Sequence, residues 1–269
     1  CALFFGYAYA HVLIRIANPK NQAFIHAALL GLALAALPIL PEDSWKSAGG
    51  APPQLRILGM LVWNVALPFA ILAASSPLIQ AWFSRRNPTL SPYPLYAVSN
   101  LGSLIALVAY PFWVEPRLPV TVTGTLWSLG FALAGILIVA CAVIGRNSDP
   151  NHRSGVTPRE GATARQITFW ACLSGTAVAI LMGVTNKLTL DVASIPFLWV
   201  LPLGLYLATF IAAFASERLY IRPLFILFSG AMVAALQYWW IFYELYQQVF
   251  LYSGLLFGAC MILHGELYR

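Results

Sequence analysis

Long apolar runs separated by short polar breaks set the pattern of this chain. Crossing roughly 30 Å of hydrocarbon at 1.5 Å per residue takes about 20 mainly apolar residues in a helix. Runs of that kind lie at residues 1–16, 22–40, 56–74, 94–113, 119–145, 167–186, 195–215, 221–241 and 246–263. They predict an all-α, polytopic transmembrane bundle of about nine spans. The first run is short and opens on Cys1 without a charged stretch before it, and the last ends directly on HGELYR. Both ends read as cuts in a longer polypeptide.

The breaks carry proline, glycine and charge, as in PEDSWKSAGGAPP at 41–53, RRNPTLSPYP at 85–94 and RNSDPNHRSGVTPREGATAR at 146–165. Such composition predicts loops. The longest divides the chain into a first helical group at 1–145 with about five spans, a cytoplasmic loop at 146–166, and a second group at 167–269 with about four. A hinge between two bundles and a plain loop are both open readings of that stretch. Prolines within runs, among them Pro68, Pro77, Pro111, Pro196 and Pro202, are expected to kink helices or mark their ends.

Composition supports the membrane reading: 60% of the 269 residues are hydrophobic and 9% charged, where a soluble domain carries about a quarter charged residues. Mean hydropathy is +0.77. The formal charge of +6 comes from 15 basic and 9 acidic residues. The basic ones are scattered singly and in pairs, so they mark topology rather than a nucleic-acid surface. Nine spans place eleven of them on one set of alternate loops, around Arg15, Lys20, Arg85, Arg86, 146–165, Arg218, Arg222 and Arg269. The opposite set holds Lys46, Arg56, Arg117 and Lys187. The positive-inside rule then puts the start of the chain outside and its end inside. Tyr238, Trp239, Trp240, Phe242 and Tyr243 crowd a loop without basic residues, as an interfacial aromatic belt does.

Polar groups within or beside the runs are the candidates for chemistry, because they are costly in hydrocarbon. Ser99, Asn100, Gly102 and Ser103 suit close helix packing or a substrate contact. Thr185, Asn186, Lys187 and Asp191 lie between two spans on the outer side. Lys187 and Asp191 are four apart, so on a helical turn they share one side. A solvated polar turn and an outward-opening pocket are the two readings. Asn100, Asn186, Lys187 and Asp191 are therefore the expected lining of a substrate cavity. His264 and Glu266, two apart, do not share a helical face. Lone His11 and His26 suit hydrogen bonds to neighbours. Cys1, Cys141, Cys172 and Cys260 lie in or beside apolar runs without CxxC spacing, which suits packing. No nucleotide-binding loop, nucleophile elbow or metal-binding signature occurs. No catalytic residue, cofactor or metal is expected in this chain.

Five segments resemble the membrane half of bacterial fused major-facilitator and spermidine-synthase-like proteins: GYAYAHVL at 6–13, SSPLIQAWF at 75–83, YPLYAVSNLGSLIALVAYPFWVEP at 93–116, TNKLTLDVASIPFLWVLPLGLYL at 185–207, and HGELYR at 264–269. Lys187 and Leu190 stand where that pattern carries histidine and glutamine. The resemblance implies helices in the bacterial inner membrane that precede a soluble spermidine-synthase-like domain, itself binding an S-adenosylmethionine type of cofactor. That domain has no counterpart in these residues. Two functions follow as expectations: a transporter-like membrane domain passing a small polar solute, or a structural subunit anchored among other membrane subunits. The lipid bilayer is the expected partner in both.

Overall fold

The computed structural model describes residues 2–35, 37, 39, 52–146, 163–191, 197–238 and 244–269. Most of the 41–53 and 146–165 breaks, the aromatic positions 239–243, Cys1, Pro196 and the Asp191 side chain lie outside the described residues. Among the described residues every element is helical. The α-helices are α1 (Ala2–Ile16), α2 (Pro19–Ala35), α3 (Pro53–Leu61), α4 (Leu67–Arg86), α5 (Tyr93–Ala109), α6 (Val120–Arg146), α7 (Ala164–Asp191), α8 (Phe197–Ala215), α9 (Arg222–Tyr238) and α10 (Leu245–Tyr268).

Two of the prolines leave a local mark. A wider π turn at Val62–Ala66 joins α3 to α4. Pro68 has no N–H for the Asn64 carbonyl four residues back, which disfavours a regular α turn there. A second π turn, Tyr110–Val114, contains Pro111 and closes with Glu115 N–H donating to the Tyr110 carbonyl at 2.9 Å. Pro77 and Pro202 instead sit inside continuous α4 and α8.

Among the described residues five helices are long and apolar enough to cross a membrane: Gln54–Arg86, Tyr93–Val114, Val120–Gly145, Ala164–Leu190 and Tyr246–Tyr268. The apolar helices Ala2–Ile16, Trp199–Ala215 and Arg222–Tyr238 are shorter. Within the described residues five of the nine expected spans meet the length requirement; the 15 residues of α1 rise only about 23 Å. The run expected at 56–74 continues unbroken to Arg86, and that expected at 167–186 continues to Asp191.

The helices form two units, α1–α4 with α6, and α5 with α7–α10. They do not follow chain order: α5, which the long break at 146–165 would assign to the first group, packs on α8 in the second unit. Ala97 of α5 is buried against Ala213 and Phe214 of α8.

In the first unit α1 lies tightly on α4. A Cβ at Gly6 would run into the Ala70 carbonyl oxygen and stand 3.1 Å from the Ala73 Cβ. Small residues matter here because lipid is as apolar as leucine, so helix association rests on close packing. Leu30 and Ala33 of α2, Ile71 of α4, and Phe131 and Ile138 of α6 close the rest of this core. In the second unit α10 is central and packs on α7, α8 and α9.

Large apolar side chains remain uncovered along these helices. Leu129, Leu133 and Ile136 of α6 are each more than half exposed, at spacings of four and three that make one stripe. Apolar faces of this extent suggest a membrane protein.

Candidate functional site

The second unit holds all four candidate cavity residues, on two helices. Asn100 is half-buried on α5, and its Nδ2 donates to the Tyr96 carbonyl of its own helix at 2.8 Å. Ser103 likewise donates to the Ser99 carbonyl at 3.2 Å. Within this unit no atom comes within 4 Å of where a Gly102 Cβ would stand, so no neighbouring helix closes on that face.

Asn186 and Lys187 are exposed in the last two turns of α7, which ends at Asp191. The segment is therefore helix rather than turn, with Thr189 Oγ1 donating to the Thr185 carbonyl at 2.9 Å. The helical backbone places positions 187 and 191 on one side. Asn100 stands on α5, a different helix, and bonds within its own turn.

A more enclosed polar point lies where α10 crosses α8. His264 is 1% exposed. Phe210 stacks on its ring at 3.7 Å between centroids, and Tyr206 meets it edge-on at 5.0 Å. Thr209 Oγ1 donates to the Tyr206 carbonyl at 2.7 Å, which uses its single hydrogen. The 3.0 Å contact between Thr209 Oγ1 and His264 Nδ1 is then a bond donated by the imidazole. In the neutral ring this leaves the lone pair on Nε2. That atom is buried and has no hydrogen-bond partner among the described residues. A buried polar atom left in that condition costs about 1–3 kcal/mol, which marks it as a seat for a hydrogen-bond donor. Cys260, fully buried, stands one turn earlier on α10.

Glu266 faces away from this point, as two helical steps of about 100° require. Its Oε1 accepts the Tyr220 hydroxyl at 2.8 Å and lies 3.3 Å from Arg222 Nε and 3.8 Å from the Arg269 guanidinium. Arg269 also sits over the Tyr220 ring at 5.0 Å. Burial and the bond to Glu266 push the Tyr220 phenol up to about 12. The Tyr220 ring presses on the backbone at Gly265, where an added Cβ would lie 2.6 Å from ring carbons. HGELYR is thus a junction: His264 turns to α8, Gly265 admits Tyr220, and Glu266 ties down the start of α9.

The first unit has a polar network that sequence reasoning touched only at His26. Gln22, 1% exposed, donates to the Ala17 carbonyl at 2.7 Å and accepts from Trp82 Nε1 at 3.0 Å and Arg85 at 2.9 Å. One turn on, Ser75 Oγ donates to the Ile71 carbonyl at 2.9 Å, so His26 Nε2–H donates to Ser75 at 3.0 Å and Tyr9 donates to Nδ1 at 3.3 Å. Both nitrogens of His26 are used, in contrast to His264. An amide at the start of the 22–40 run was the available signal for Gln22. Among the described residues no three histidine, cysteine or acidic side chains lie close enough together to hold a metal. No protein-family description, curated protein or solved structure matches the chain.

Proposed function

We propose that the chain is the membrane domain of a larger bacterial protein of the fused major-facilitator and spermidine-synthase-like kind, and that it passes a small polar solute. In this reading it crosses the inner membrane about nine times, with its start outside and its end inside. The shorter helices complete their crossings by packing beside longer ones or by locally thinning the bilayer. The catalytic and cofactor chemistry belongs to a linked soluble domain, and no nucleic acid is involved.

The observation that carries the transport reading is the unpartnered Nε2 of His264. A buried lone pair in a fixed tautomer suits a passing N–H or O–H donor. Asn100, Asn186, Lys187 and Asp191 are the further contacts along the route, and the exposed position of Asn186 and Lys187 near the outer end of α7 suits an entry role. Cys260 is a built-in probe. In a variant with Cys1, Cys141 and Cys172 changed to serine, a small charged methanethiosulfonate should modify Cys260 in native membranes. Modification only after denaturation would sink the transport reading.

A second reading, a structural subunit within a larger membrane assembly, draws support from two features. The His26 and Gln22 network binds its polar atoms internally, and only 6% of the apolar stretch of α5 is buried. That face is then left for lipid or another chain.

A further inference from the structure

The facing ends of α4 and α6 enclose a groove of about 280 Å³. One wall is Ile79, Trp82, Phe83 and Arg86 of α4, at spacings of three and four that define one helical face, with the capping Asn87 at its end. Its α6 wall is Cys141, Ile144 and Gly145. Ile79, Trp82 and Phe83 on one wall and Cys141, Ile144 and Gly145 on the other keep the groove apolar for about one turn, and Arg86 and Asn87 make its end polar. At the mouth, Arg86 donates to the Ile144 carbonyl at 2.8 Å, which holds its guanidinium across the opening while the residue remains exposed. Arg85 stands beside it, anchored on Gln22 at 2.9 Å. Among the described residues no acidic side chain lines the groove. Gly145 sets its floor, because an added Cβ would lie 2.8 Å from the Trp82 Cβ.

We propose that this groove holds one acyl chain of an anionic phospholipid, with the headgroup phosphate against Arg86. The proposal rests on the membrane reading above, since it places the groove mouth at the cytoplasmic lipid headgroups. The gradient along the walls selects this occupant. A soluble anion has no use for apolar lining on both walls, and a neutral lipid has no use for an arginine fixed at the mouth. Capping of the Ile144 carbonyl alone uses one guanidinium N–H and leaves the other donors for phosphate oxygens. Basic pockets between membrane helices on the cytoplasmic side are suited to anionic headgroups.

The test uses the full chain in vesicles of phosphatidylcholine and phosphatidylglycerol, washed with alkaline carbonate and then analysed by native mass spectrometry for retained lipid. Wild type should retain one phosphatidylglycerol with about five-fold preference over phosphatidylcholine, the selectivity that one interfacial arginine confers. Arg86→Gln should lose the preference. Cys141→Phe, which fills the apolar end of the groove, should lower retention of both lipids. Equal retention by wild type and Arg86→Gln, with the chain still in the carbonate-washed membrane, overturns the lipid proposal and leaves the membrane reading standing. Release of the chain by carbonate overturns the membrane reading itself.

Discussion

Replacing Gly258 with leucine is expected to cost roughly 3 kcal/mol, the upper range for overpacking a filled interface, and to separate α9 from α10. The site has no slack. A Cβ at Gly258 would stand 2.5 Å from Ser229 Oγ and 2.8 Å from Phe228 Cδ1. One turn earlier, a Cβ at Gly254 would stand 2.8 Å from Met232 Sδ, and at Gly265 the Tyr220 ring is in the way. Positions 254, 258 and 265 share one face of α10, so α9 and its lead-in meet a continuous glycine track. Helix α9 cannot retreat without breaking the bond from Tyr220 to Glu266 and the Arg222 ion pair. Leucine improves helix propensity over glycine by up to about 1 kcal/mol, which the overpacking term exceeds. Thermal unfolding in detergent reads the effect. Gly230→Leu on α9 is the control, since nothing lies within 4 Å of its Cβ position. It should be neutral or stabilising, and equal melting of both variants would contradict the glycine-track explanation.

The Gln22→Leu variant should lose roughly 2–4 kcal/mol, because one side chain serves four partners. Its Oε1 accepts from Trp82 Nε1 and Arg85, and its Nε2 donates to the Ile14 and Ala17 carbonyls at the end of α1. Leucine fills the space but satisfies none of these groups. The Trp82 N–H is then stranded, as Trp82 is only 3% exposed. Gln80→Leu is the comparison, since among the described residues Gln80 bonds only within its own helix, to Ser76 at 3.2 Å. Melting of the two variants in the same detergent separates the cases. A Gln22→Leu protein that melts within a degree of Gln80→Leu would mean the network does not hold the first unit together.

How legible these features were in the sequence depended on which way polar residues turn. The runs at 119–145 and 167–186 correspond closely to α6 and α7, because little interrupts them. The run at 56–74 stopped short of the helix end at Arg86, and the polar Ser75 and Gln80 and the helix-breaking Pro77 lie just beyond it. In the structure Ser75 turns inward to His26 and Gln80 satisfies itself on Ser76, so the helix continues. Placement of α5 with α8 is a tertiary fact that chain order hides. Spacing of four between Gly254 and Gly258 was a readable signal for close packing. The unpartnered Nε2 of His264 was not readable, because it depends on Thr209, 55 residues away, and on the direction of that hydroxyl.

Side-by-side accessibility of single cysteines in intact cells tests the membrane placement most directly. A membrane-impermeant maleimide is applied to variants carrying Arg117→Cys, Glu244→Cys, Asn87→Cys, Thr163→Cys or Ser216→Cys, each in a background without the four native cysteines. The nine-span reading predicts labelling at 117 and 244 in intact cells, and at 87, 163 and 216 only after permeabilisation. Labelling of 163 or 216 in intact cells, or protection of 117, would place consecutive loops on the same side and contradict it.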